Sequence, residues 1–252
     1  MNLFKLVTAT IPFVFTASVQ STELHYFVIA KQAKPFQIEE NGENHRGIVT
    51  DILKEVFKNH SEYHIVYHTY PFNRMISTLE SGNTQNWITY GSPGWGGVQA
   101  ANLSKTPIYN VRHYLLSSKK EPFNFKTIDD LKGKSVALLY GFDYPDLVPY
   151  IKSNLFNELR VKDYAAAFRI IQKRAGESAF VEMGLRINYH LNKEGKKPSN
   201  FKMQPLSSVI PDYSIYLALS PQIDSKLQQL IDKRLEEMAK KGELEAISMR
   251  YQ

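Results

Sequence analysis

Residues 127–141 read TIDDLKGKSVALLYG, and the fold turns on how this stretch is understood. Thr127 with Asp130 three positions later has the spacing of a capping box, in which each side chain satisfies a free backbone N–H of the other. A short helix ending near Gly133 follows, and SVALLYG is then an apolar, strand-like run closed by a glycine. The stretch therefore opens a new strand–helix series after Lys120 rather than continuing the one before it.

Working outward toward the N-terminus, LHYFVIA (24–30) is a strand, and a turn is expected at Asn41-Gly42. Gly47 opens IVTDILKEVFKN, where Ile48, Ile52, Val56 and Phe57 fall at helical spacing. YHIVYHTY is a second strand, and PFNRMISTLESG gathers Phe72, Met75, Ile76 and Leu79 on one helical face before Gly82. NWITYG is a short strand running into the glycine-rich loop GSPGWGG. Toward the C-terminus, helices are expected over 144–154, AAAFRIIQKRAG and 184–195, with strands at SAFVEM, FKMQPLSS and YSIYLALS. Ser220-Pro221 has the form of a serine N-cap before an N1 proline, predicting a final helix over 222–241. This alternation predicts an α/β protein with mainly parallel sheets, and the restart near Lys120 predicts two lobes.

Composition narrows the function classes. The 252 residues contain no cysteine, which excludes disulfides, thiolate metal sites, a thiol nucleophile and a lipid-modified cysteine. The formal charge of +6, from 31 basic and 25 acidic residues spread along the chain, gives no nucleic-acid patch. Lys5, the uncharged run over 6–19, and the small residues Ala17, Ser18 and Ser21 have the form of an export signal, cleaved between Ser18 and Ser21. At about 14 residues that run is short for a membrane span, which needs about 20. A signal over 1–21 predicts a soluble periplasmic protein with no lipid anchor and no membrane insertion. His60, His64 and His68 are spaced by four, but the residues between them read as loop and strand. On a strand His64 and His68 stand about 13 Å apart at ~3.3 Å per residue, too far to share one ion, so no metal site is assigned. No G-x-S-x-G, Walker loop or G-x-G-x-x-G stands at a strand–helix junction, and no cofactor is expected.

The ordered set AKPFQIEENG, RGIVTDILKEVF, FNRMISTLESG, WITYGSPGW, LSKTPIY, IDDLKGKSVALLYG and AFVEMG resembles the family 3 extracellular solute-binding proteins, the type II periplasmic binding proteins. The resemblance implies two α/β lobes joined by hinge strands near 113–118 and 213–219, with a ligand cleft between them. Lobe one is then 22–115 plus 217–252, and lobe two is 116–216. It implies a non-catalytic, monomeric protein that captures a small polar or aromatic, amino-acid-like ligand. A transporter permease or a membrane sensor would be its partner. On the same fold, a periplasmic dehydratase of the cyclohexadienyl type and a signalling module with a degenerate cleft are the alternatives.

Carried onto this sequence, the resemblance places Phe36 at the cleft mouth and Gly91, Ser92 and Trp95 in a ligand-contacting loop. Lobe two contributes Tyr140, Gly141, Phe142 and Tyr144 after one strand. Glu182 stands at the end of SAFVEM, where relatives keep an aspartate for the ligand ammonium. The chain departs from the family at the arginine that clamps the ligand carboxylate, since none lies between Trp87 and Val111. Arg74, at the start of a helix, is the nearest cation to that loop, and Phe142 and Asp143 replace the family's hydroxyl residues.

Overall fold

A computed structural model describes residues 21–40 and 45–252. The expected export signal and the Asn41-Gly42 turn lie outside these residues, apart from Ser21 at the signal's end. Among the described residues there are two five-stranded sheets. The first contains β1 (Thr22–Ile29), β2 (Tyr63–Tyr70), β3 (Trp87–Gly91), β4 (Tyr109–Val111) and β10 (Tyr213–Leu219), in the order β2-β1-β3-β10-β4. The second contains β5 (His113–Ser118), β6 (Ser135–Leu139), β7 (Asn157–Val161), β8 (Ser178–Met183) and β9 (Phe201–Pro205), in the order β7-β6-β8-β5-β9.

The sheets are mixed, which corrects the expectation of mainly parallel pairing. β1 runs parallel to β2 and β3, and β6 to β7 and β8. β10 pairs antiparallel with β3 and β4, and β5 with β8 and β9. The reason is topological. β5 and β10 begin where the chain passes from one sheet to the other, so they arrive without the helical crossover that parallel pairing needs.

α1 (Ile48–Phe57), α2 (Phe72–Glu80), α3 (Val98–Ala101), α7 (Ser225–Lys240) and α8 (Glu243–Met249) accompany the first sheet. α4 (Val148–Lys152), α5 (Tyr164–Lys173) and α6 (Gly184–Lys193) accompany the second. The first core joins Leu24, Val28, Ile52, Met75 and Leu217 to Ile231 and Leu235 of α7. The second sheet is covered on both faces, which explains why β6 is an apolar run. Val136 and Leu138 enter one cluster with Val181, while Ala137 and Leu139 enter another with Phe168 and Phe180.

The Thr127–Asp130 capping box forms, on a single 3₁₀ turn over Ile128–Leu131. Ser220-Pro221 does not start the last helix. Asp224 caps α7 by accepting from the N–H groups of Lys226 and Leu227, whereas the Ser220 hydroxyl accepts from Gln222 in the turn before it. The run expected as one helix over 222–241 begins at Ser225, and Gly242, with φ of 71°, separates it from α8. No helix among the described residues is long and apolar enough to cross a membrane.

Candidate functional site

The chain passes between the sheets twice, once at Arg112 between β4 and β5, and once over the residues between β9 and β10. The two passages are clasped together. Arg112 donates from Nε to Asp212 Oδ2 at 2.7 Å, and Ser207 donates to Asp212 Oδ1 at 2.7 Å. The Arg112 carbonyl also accepts from the Gly184 N–H at 3.0 Å, which fixes the start of α6 at the crossing.

From the first sheet, the loop after β1 carries Phe36. Gln37 anchors that loop to the strand: its Oε1 accepts from the Ile29 N–H, and its Nε2 donates to the Phe27 carbonyl and the Tyr26 hydroxyl. The carbonyls of Pro35 and Phe36 accept from Ile48 and Val49, so the loop satisfies free donors at the start of α1. Phe36 is fully buried and packs on Tyr90 at 5.8 Å and Tyr109 at 5.5 Å between ring centroids. β3 ends at Gly91, where a Cβ would fall 1.8 Å from the Gln99 carbonyl oxygen, so no larger residue fits. Ser92 is buried, and its carbonyl accepts from the Trp95 N–H. Trp95 stands partly exposed, edge-on to Tyr90 and Tyr213.

From the second sheet, Glu182 is 3% exposed at the end of β8. Its Oε2 accepts from the Tyr164 hydroxyl at 2.8 Å and its Oε1 from the Met183 N–H at 2.8 Å. Tyr164 is held flat against His190, with centroids 3.5 Å apart. Burial first, and then the Glu182 charge, push the Tyr164 hydroxyl well above its ordinary range, so it stays a neutral donor. Arg186, on the first turn of α6, is 4% exposed. Its guanidinium carbon lies 5.1 Å from the ring centroid of Phe142 in the same lobe and 5.8 Å from that of Phe36 in the other. Burial lowers its pKa, but Tyr164, Glu182 and Tyr90 more than offset this and raise it, so it remains a cation.

Of the residues singled out from the sequence, Phe36, Phe142 and Glu182 gather around Arg186, with Tyr90 linking that cluster to Trp95. Ser92 and Gly91 form the backbone beneath Trp95. Gly141, with φ of 81°, brings the second lobe against Gln32 of the first. Tyr144 is instead built into the second lobe's core, its hydroxyl accepting from the Leu139 N–H at 3.1 Å. Tyr140 is 74% exposed, beyond the buried cluster. Arg74 is exposed and lies over the Tyr70 ring at 4.5 Å, so the structure does not bring it into the cluster. Arg186 and Tyr164 are the members that sequence reasoning missed. The signal for Arg186 was available: a lone cation between Leu185 and Ile187 on a helix that starts directly after Glu182.

A separate crevice of about 350 Å³ is lined by Ile38, Arg46, Tyr189, Lys193, Arg250 and Tyr251, and none of the residues just described opens onto it. Its Arg46 is paired with Glu40, and its Arg250 with Asp51.

A cluster of one carboxylate, one guanidinium and several aromatic rings has the chemistry to hold a small zwitterionic or polar molecule by charge and stacking. The sequence model of the bacterial extracellular solute-binding proteins, family 3, matches residues 27–252. An arginine-binding extracellular protein, ArtP, of Bacillus subtilis (strain 168) is 25% identical, over 99% of this chain and 96% of its own length. A structure from a study of glutathione import via GshT and the cystine ABC importer TcyBC of Streptococcus mutans superposes with a TM-score of 0.67 at 20% identity, covering 92% of this chain and 95% of that one. An ancestral cationic amino-acid solute-binding protein superposes with a TM-score of 0.67 at 16% identity, covering 91% of this chain and 95% of that one.

Proposed function

The chain belongs to the bacterial extracellular solute-binding proteins of family 3, and within that family we propose that it captures one small amino-acid-like ligand between its lobes, with Glu182 taking the ligand's ammonium. The observation that carries this reading is the position of Glu182. It is a carboxylate buried at the C-terminal end of a strand, held by the Tyr164 hydroxyl and the Met183 N–H, with the Tyr164 ring itself fixed edge-on against Phe180. Ligands of open α/β sheets bind beyond these strand ends. Phe36, Trp95 and Phe142 supply apolar faces for the rest of the ligand. Ser92 and Gly91 form a close-fitting floor.

Capture works by lobe closure over the crossings at Arg112 and Asp212, which withdraws the ligand from water. The loaded protein is then presented to a membrane partner, an ABC transporter permease or a sensor, from a periplasmic location. We read the cleft as binding without catalysis. Both Glu182 oxygens already accept hydrogen bonds, which suits a fixed counter-charge better than a general acid that must lose and regain a proton. Although one relative is named for arginine, the guanidinium of Arg186 already stands against Phe36 and Phe142, so we favour a ligand without a cationic side chain.

A thermal-shift screen over amino acids, short peptides, polyamines and aromatic acids tests the proposal, because stabilisation follows RT ln(1 + [L]/Kd). An amino-bearing ligand that raises Tm in the wild type but not in Glu182→Gln is the expected result. Turnover of a prephenate-like compound that disappears in Glu182→Gln would contradict the binding-only reading.

A further inference from the structure

We infer that the ligand carries a carboxylate and that Arg186, reaching in from the second lobe, is the group that binds it; this rests on the cleft reading of the preceding section. The Arg186 side chain is 4% exposed, yet Nε and Nη1 have no hydrogen-bond partner among the described residues. Buried N–H donors left unpaired are costly, and a buried charge more so, unless a partner arrives. The nearby carboxylate does not supply one, because Glu182 accepts from Tyr164 and from the Met183 N–H. Phe36 and Phe142 present rings to the guanidinium carbon, one from each lobe, and a ring face does not replace an in-plane acceptor for these N–H groups.

The Tyr164 and Tyr90 hydroxyls stand close enough to the guanidinium to stabilise its charge, but Nε and Nη1 remain unpaired, and a carboxylate has the planar shape and charge to take them. A second buried group near this site is also unpaired. His113, at the start of β5, has Nδ1 buried without a partner, and it lies within electrostatic reach of both Glu182 and Arg186. Arg186 and Glu182 act on each other electrostatically, so one small molecule can meet charges of both signs there. The loop after β3 has Gly96 and Gly97 and no cation, so the first lobe supplies ring faces and backbone while the second supplies the charges.

Differential scanning fluorimetry of the full chain separates the possibilities. The probes are the twenty L-amino acids, the matching amines that lack the carboxyl, and the matching acids that lack the amino group. The expected result is that at least one amino acid raises Tm and that its amine binds on the order of 100-fold more weakly, as loss of a buried charged hydrogen bond predicts. In Arg186→Met the gap between amino acid and amine closes. If that variant does not fold, the wild-type comparison of amino acid with amine still decides. Equal binding of an amino acid and its amine by the wild type would overturn the role of Arg186 while leaving the cleft as a ligand site. No shift with any probe would overturn this inference together with the proposed function.

Discussion

The guanidinium carbon of Arg186, carried by α6 of the second lobe, stands 5.8 Å from the ring centroid of Phe36, which the first lobe holds on the loop after β1. The contact joins the two lobes, so it bears on the proposed closure as well as on the proposed site. Replacing Phe36 by leucine keeps an apolar side chain but removes the aromatic face. We expect a loss of about 1–3 kcal/mol, combining imperfect repacking with a lost cation–π contact, read from urea unfolding.

The same pair makes a prediction about selectivity. Arg186→Ala empties a buried slot shaped around a guanidinium. Added methylguanidinium should then raise the Tm of the variant by several degrees more than that of the wild type, where the slot is filled. Equal shifts in the two proteins would show that the rings do not form a guanidinium slot.

The clasp between Arg112 and Asp212 joins the two chain crossings at 2.7 Å, but both side chains are substantially exposed. Exposed ion pairs add little to stability and are screened by salt. Asp212→Asn should therefore leave the urea midpoint nearly unchanged. It should nonetheless loosen the crossing, visible in small-angle scattering as a larger radius of gyration without ligand that returns to the wild-type value once ligand closes the lobes.

Acid should weaken the fold through His190. Burial first, and then the charges of Lys193, Arg186 and Lys34, push its imidazole from 6.5 down to about 3. Between those values the unfolded chain binds the proton and the native protein does not, so stability rises with pH. The contribution is present in full above about pH 6.5 and declines as the pH falls toward about 3. His113 is shifted in the same direction, mainly by burial. His190→Gln should flatten the acid side of a stability-versus-pH curve measured by denaturant unfolding.

Gly91 closes β3 under the Gln99 carbonyl, and a Cβ there would stand 1.8 Å from that oxygen. Gly91→Ala must displace backbone rather than a flexible side chain end, which should cost about 1–3 kcal/mol. Because the shift falls beneath Ser92 and Trp95, ligand affinity should fall with it. Unchanged stability in a denaturant titration would show that the loop is looser than its packing indicates.

The apolar strands and the larger helices were legible in the sequence because their periodicity is strong. The run SVALL reads as a strand and is one, buried at every position. β7 was missed because NELRV pairs on one side only, at the sheet edge, and alternates charge with short apolar residues. Ser220-Pro221 misled because its hydroxyl serves a turn, leaving the cap to Asp224 two residues before the N–H of Lys226. Glu182 and Phe36 could be placed from their positions in an ordered set of motifs. Arg186 was legible only as a lone cation between Leu185 and Ile187 just after Glu182; that it meets a ring of the other lobe depends on which lobe faces which, and no local pattern encodes that. Tyr164 is tied to Glu182 across 18 residues of chain, a pairing that only the folded second lobe creates.

Small-molecule mass spectrometry of natively purified protein, wild type beside Glu182→Gln of verified fold, tests the central claim most directly. The account predicts that the wild type releases a compound bearing both an amino and a carboxyl group, in about equal amount to the protein, and that the variant releases little or none. A released compound lacking an amino group, or one retained undiminished by Glu182→Gln, would contradict it.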